Sequence, residues 1–278
     1  MAKLSMTAKR WDEITALLND EQRLQAEYPK VANYLDMATS LPGTGDAQTD
    51  AAFDLRFVHY MTGGKSLSPN PYWDIVEPLV FEHEGRRVVN GGRAEVNSRL
   101  AYAQIILQET YAYAIPSPKT IEWISHLCTG HKVVELGAGR GYWAAQMAAS
   151  GLSVEAYDLE PPHLTRNVSF PEAVGTEDVW HPVNDLVEFA ARPYSLSECV
   201  LFLCWPPGWG DKMSSEALTL FEESGGRRLI YIGEPQGGKT GNDTFFNALS
   251  TGWRLDAVDP HFVSWGTEKD IAQSWARI

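Results

Sequence analysis

The apolar residues of this 278-residue chain change their spacing part-way along it. Through residue 116 they recur mostly three and four apart, the period of a helix with one buried face. Lys9–Ala26 carries Trp11, Ile14, Leu17, Leu18 and Leu24 near that spacing and predicts an amphipathic helix. Ala51–Met61 and Glu95–Tyr113 predict two more. Leu41–Asp50 is rich in Gly, Thr and Asp, and Thr62–Pro71 in Gly, Ser and Pro, so both read as connections. From residue 117 the pattern alternates. Ser117-Pro118 gives a hydroxyl N-cap followed by proline at the first helical position, and Ile121, Ile124 and Leu127 form the core-facing stripe. Short apolar runs then predict strands: one from His131, then Ser153–Tyr157, a weak Glu177–Val183, Cys199–Cys204 and Arg228–Gly233. Trp253–Asp259 and Ile271–Ile278 form a closing pair, and Ser215–Glu223 and Asp243–Leu249 are intervening helices. Continuous apolar strands separated by helices mean a mostly parallel sheet covered on both faces. The expected organisation is an α/β fold with a mainly helical extension or lid over 1–116 and a sheet domain over 117–278.

Residues 131–158 carry the densest chemical signal. Val133, Val134 and Leu136 flank Glu135 and lead into Gly137, Gly139 and Gly141; a helix follows, then a strand ending at Asp158. A strand, a tight glycine turn, a helix and a second strand with a terminal acid form the unit that binds an adenosine-bearing cofactor. Glycines let the backbone pass where a Cβ would collide. Asp158 sits where ribose hydroxyls need an acceptor. The spacing is G-x-G-x-G, not the G-x-G-x-x-G of dinucleotide sites, and Glu135 is unfavourable beside a pyrophosphate but suits a cationic amino group. The bland alternative is an ordinary strand–helix–strand crossover with glycines for packing.

Composition narrows the classes. A hydrophobic content of 44% supports a substantial core. The formal charge of −13 disfavours a nucleic-acid partner. No apolar run approaches a membrane span, and no signal-peptide pattern opens the chain. Cys128, Cys199 and Cys204 lack ligand-like spacing, so neither a disulfide framework nor a metal site is expected, and a cytoplasmic setting is.

The glycine unit closely resembles that of the class I S-adenosyl-L-methionine (SAM)-dependent methyltransferases, as an uncharacterised subgroup, over about residues 111–278. The resemblance implies a seven-stranded Rossmann-like sheet in the order 3-2-1-4-5-7-6 with the seventh strand antiparallel. It implies SAM as cofactor, held by Glu135, Gly137, Ala138, Gly139, Gly141, Asp158, Leu159, Val183, Asn184, Cys204, Tyr113 and Pro116. Val183, Asn184 and Asp185 read equally as an adenine edge or a plain strand-to-helix turn. In amino-group members of this superfamily the fourth strand ends in Asp/Asn-Pro-Pro-aromatic. Here Cys204-Trp205-Pro206-Pro207-Gly208-Trp209 puts Trp205 at the polar position, which supports the location and departs from amine chemistry. Tyr111, Tyr113, Ile115 and Pro116 match the segment that folds over the methionine end. Candidate catalytic residues are Trp205, His181, His261 and Glu234. The expected acceptor is an oxygen or nitrogen on a small molecule or peptide; a homodimer is an open option. Two alternatives remain: a non-catalytic SAM or S-adenosylhomocysteine (SAH) module or partner subunit, and an ATP-binding enzyme using Gly233–Thr240. That last segment satisfies G-x-x-x-x-G-K-[ST], yet Gly241-Asn242-Asp243 intervenes before the next helix.

Overall fold

The computed structural model describes residues 4–63, 67–90, 97–162 and 179–278. The N-terminal part contains α1 (Ala8–Leu18), α2 (Glu21–Glu27), α3 (Pro29–Ala38), α4 (Ala47–Met61), α5 (Pro71–Val76) and α6 (Ser98–Thr110). Between α5 and α6 runs a hairpin, β1 (Phe81–His83) and β2 (Arg86–Val89). Its two-residue turn is made by Glu84 and Gly85, both left-handed at φ 49° and 74°, the backbone that tight hairpins require.

The expected helix over Lys9–Ala26 is two helices. Asp20 accepts the Arg23 amide and starts α2, so the chain breaks at Asn19-Asp20. The loop expected over Leu41–Asp50 ends at Asp46, whose carboxylate accepts the Gln48 amide and starts α4 four residues earlier than Ala51. Glu95 and Glu177, where the next helix and the weak strand were expected to begin, lie outside the described residues.

The second part begins with α7 (Pro118–Leu127), capped by the Ser117 hydroxyl on the Thr120 amide. There follow β3 (Lys132–Leu136), α8 (Tyr142–Ala149), β4 (Val154–Tyr157), β5 (Val183–Asn184), α9 (Leu186–Ala191), β6 (Cys199–Cys204), α10 (Met213–Glu223), β7 (Arg228–Gly233), α11 (Asp243–Gly252), β8 (Trp253–Val258), β9 (Val263–Trp265) and β10 (Ile271–Arg277). The main sheet has the order β5-β4-β3-β6-β7-β10-β8, with β10 antiparallel to both neighbours. This is the predicted 3-2-1-4-5-7-6 arrangement. Asp185, at the end of β5, caps α9 by accepting the Glu188 amide.

Strand alternation divides the core. Val134, Leu201, Leu203 and Leu229 face α10 and α11 with Phe221 and Phe245; Val133, Val200, Phe202 and Ile230 face α7 and α8 with Ile124 and Trp143. Each such fully buried side chain contributes about 1.5–3 kcal/mol, so the strands of the sheet centre hold the carboxyl edge rigidly. The N-terminal helices have their own core, which reaches into the second part through Tyr142, Val263 and Trp265. Backbone pairing adds to the link: β9, between β8 and β10, leaves the main sheet and pairs in parallel with β2, from Arg87↔Val263 to Val89↔Trp265. The extension is therefore fastened to the crossover at the carboxyl edge. Among the described residues, no helix is long and apolar enough to cross a membrane.

Candidate functional site

The carboxyl ends of β3, β4 and β5 meet at the glycine turn. Gly137, Gly139 and Gly141 are all left-handed, at φ 76°, 55° and 71°, a backbone in which side chains are strained. A Cβ on Gly141 would stand 2.8 Å from the His181 carbonyl oxygen, and one on Gly137 would stand 2.4 Å from Met213 Cε. The turn's amides are directed inward. Gly137 and Ala138 donate to the Tyr157 carbonyl at 2.9 and 3.1 Å, Gly141 to the Ala138 carbonyl at 2.8 Å, and Gly139 to Asp158 Oδ2 at 2.8 Å. A phosphate site needs amides aimed at the ligand; this turn presents backbone surface and carboxylates instead.

Two acids flank it. Glu135 is 2% exposed, and its Oε2 has no hydrogen-bond partner among the described residues. Burial, and then the neighbouring Asp158 charge, push its carboxyl up to about 8, opposed by a hydrogen bond from the Ala144 amide. Asp158 is half-buried; its Oδ1 accepts the Glu160 amide at 3.0 Å, and its own amide donates to the Asn184 carbonyl at 3.0 Å. Glu135, Gly137 to Gly141, Asp158, Val183 and Asn184 thus share one corner. Leu159 stands at its outer edge, 77% exposed. His181 lies against Gly141, and burial lowers its imidazole below the usual range.

A second group forms where β6 and β7 end. Cys204 pairs with Ile232, and the Trp205 amide donates to the Ile232 carbonyl at 2.7 Å. Trp205 is left-handed at φ 53° and stacks on Tyr113, with ring centroids 5.4 Å apart and planes 11° apart. Its indole N–H donates to Asp270 Oδ2 at 3.0 Å. Burial raises the Cys204 thiol, with the Glu135 and Asp270 charges adding, so Cys204 lies between the two groups. Pro116 is buried and its carbonyl accepts from Asn70 Nδ2 at 2.7 Å.

Glu234 is spoken for: Oε2 accepts the Lys239 amide at 2.6 Å and Oε1 the Lys269 amide at 2.8 Å. His261 is exposed on the β8–β9 connection, its amide on Asp259 and its carbonyl on Arg87. The Gly233–Thr240 segment does not have a P-loop's form. Its helix starts at Asp243, the Thr240 hydroxyl is tied to Tyr231 and the Glu234 amide, and Lys239 Nζ is paired with Glu268.

Sequence reasoning missed three contributors. Asp270 is buried, accepts from Ser264 and Trp205, and is raised to about 6, mainly by burial. An acid just before a predicted strand gave only the hint of a strand end. Met213 reaches the turn from α10 with no local signal. Tyr142, directly after Gly141, donates to Asn70 Oδ1 at 2.9 Å and accepts the Tyr72 amide at 3.2 Å. It seats the N-terminal part on the glycine turn.

No protein-family model and no curated protein matches the sequence. Among solved structures, the chain is similar to the magnesium protoporphyrin IX methyltransferase (ChlM) from Synechocystis PCC 6803 with bound SAM. Identity there is 13% over 67% of this chain and 87% of that one, with a TM-score of 0.37. It is also similar to the O-methyltransferase from Bacillus cereus in complex with SAH, at 14% identity over 65% and 90% of the two chains and a TM-score of 0.38. A putative methyltransferase (yhhF) from Escherichia coli gives 13% over 69% and 92%, with a TM-score of 0.34. The strand order and the reversed β10 are those of the class I SAM-dependent methyltransferase fold.

Proposed function

We propose that this chain transfers the methyl group of SAM to an oxygen or nitrogen on a small molecule or peptide. One observation carries the reading: a glycine turn whose amides are engaged internally, flanked by a half-buried acid and a buried carboxylate oxygen without a partner. That set of acceptors suits a nucleoside bearing a cationic amino group and no phosphate. Glu135 would face the ammonium, and Asp158 would accept from the ribose while keeping its bond to Gly139. Val183 and Asn184 would edge the base, with the neutral His181 imidazole as a wall beside them. Met213, a flexible thioether, yields space over Gly137 by rotating rather than by moving backbone.

SAM supplies the electrophilic carbon when bound. The protein's part is to align the acceptor and exclude water. Trp205, stacked on Tyr113 and anchored by Asp270, shapes the acceptor end beside Cys204 and Pro116. Glu234 fits a fastener of the β7 and β10 loops, since both its oxygens accept backbone amides. His261, facing solvent on the crossover, is the imidazole on the acceptor side of the sheet for a hydroxyl that needs its proton removed.

Calorimetric titration of SAM into wild type and Asp158→Ala tests the cofactor reading, and wild type that fails to bind removes it. The second reading, a SAM- or SAH-holding module without turnover, is favoured by Trp205 in place of a polar residue. Label transferred from methyl-labelled SAM into a metabolite extract separates the two.

A further inference from the structure

The loop after β6 carries two tryptophans, and both are left-handed: Trp205 at φ 53° and Trp209 at φ 50°. Bulky residues avoid this backbone, and it persists only where the surroundings impose it. Here the surroundings do. Pro207 bridges to Thr240, the Pro206 carbonyl accepts the Gly241 amide at 2.9 Å, and a Cβ on Gly208 would lie 2.5 Å from the Lys239 carbonyl oxygen. The loops after β6 and β7 are thus zipped together. They hold the two rings at the edge of the sheet where α/β folds take their ligands.

The rings are displayed in a telling way. Trp209 is 84% exposed and Tyr113 51% exposed, the latter lying flat on Trp205. Three acids beside these loops are engaged. Asp270 accepts from Ser264 and Trp205, Glu234 from two backbone amides, and Glu268 from Gln104 and Lys239. The Trp205 N–H is used as well, so this ring offers only its π-face. A rim of rigid ring faces selects for flat, π-rich ligands.

We infer that the acceptor is a planar aromatic molecule, held at the rim by Tyr113 and Trp205 and contacted by Trp209. The inference rests on the methyl-transfer reading above, and the test keeps the two apart. Calorimetry on the full chain with saturating SAH compares 2-naphthol with decahydro-2-naphthol, the same skeleton without the π-plane. The aromatic probe should bind roughly tenfold tighter than the saturated one. Trp209→Asn, which tolerates the left-handed backbone, should weaken 2-naphthol about fivefold. Trp209→Phe should restore most of that, and SAH affinity should be the same in all three proteins. Equal affinity for the two probes, no binding of either, or indifference to Trp209→Asn overturns the acceptor class while leaving the cofactor reading intact. Wild type that binds 2-naphthol but not SAH overturns both the cofactor reading and the assignment of the rim as an acceptor site.

Discussion

Two glycine-rich turns follow strands at the same edge of the sheet, and they end up with opposite characters. The first, Gly137–Gly141 after β3, leaves Glu135 Oε2 without a partner among the described residues and Asp158 half-exposed. The second, Gly233–Gly241 after β7, spends everything it has. Its acid, Glu234, accepts two amides; its threonine is buried in bonds to Tyr231 and Glu234; its lysine is paired with Glu268. By sequence pattern the second is the more famous motif. What separates a binding turn from a structural one is which polar atoms remain after the fold has used its share.

The largest expected difference between the turns is steric. Gly141→Ala adds a left-handed penalty of about 1–2 kcal/mol and an overpacking penalty of about 1–3 kcal/mol against the His181 carbonyl. Gly237→Ala carries only the first penalty, because nothing lies within 4 Å of its added Cβ. Urea unfolding of both variants should show Gly141→Ala clearly the less stable; equal losses would mean the cofactor turn is not tightly built.

Next comes cofactor affinity. Asp158→Ala should weaken SAM by roughly tenfold to a hundredfold, the range for a hydrogen bond to a charged group. Lost binding to SAM with thermal stability retained separates a ligand contact from a mere turn defect.

Glu135 gives a pH signature. Its folded carboxyl sits near 8, above the ordinary 4.5, so the native state binds the extra proton between those values. Its contribution to stability is full below the ordinary value and is lost as pH rises through about 8, at about 1 kcal/mol per pH unit. Glu135→Gln should therefore gain on wild type as pH increases from 5 to 9. If the carboxylate meets the SAM ammonium, binding near pH 7 should release about one proton in wild type and none in Glu135→Gln. Calorimetry in buffers of differing ionisation enthalpy reads that number, and equal proton counts would remove the pairing.

The smallest effect belongs to the second turn. Lys239→Met should leave SAM affinity within about twofold and ATP binding undetectable before and after, because its ammonium serves Glu268 in the second turn. Measurable ATP binding by wild type would revive the phosphate reading of Gly233–Thr240.

Much of this was written locally in the chain. The β6 and β7 boundaries coincide with the apolar runs Cys199–Cys204 and Arg228–Gly233, because a strand buried on both faces leaves an unbroken apolar record. Ser117 caps its helix as its hydroxyl dictates, and Asp185 makes a strand-to-helix turn; the cap expected at Asp243 is instead Asn242, one residue earlier. The hairpin β1–β2 and the short β9 left little trace, because runs of three or four residues are too short to show a period.

The sequence by itself determined the sheet, its glycine turn and the acids at Glu135 and Asp158, since periodicity and backbone freedom are properties of neighbouring residues. Tertiary structure decided the rest: that Lys269 ties up Glu234, that Asp270 anchors Trp205, that Met213 lies over Gly137, and that the N-terminal helices grip the β8–β10 crossover. Each of these joins residues far apart in the chain. Whether a polar atom is left for a ligand depends on partners delivered by packing, and no local pattern encodes them.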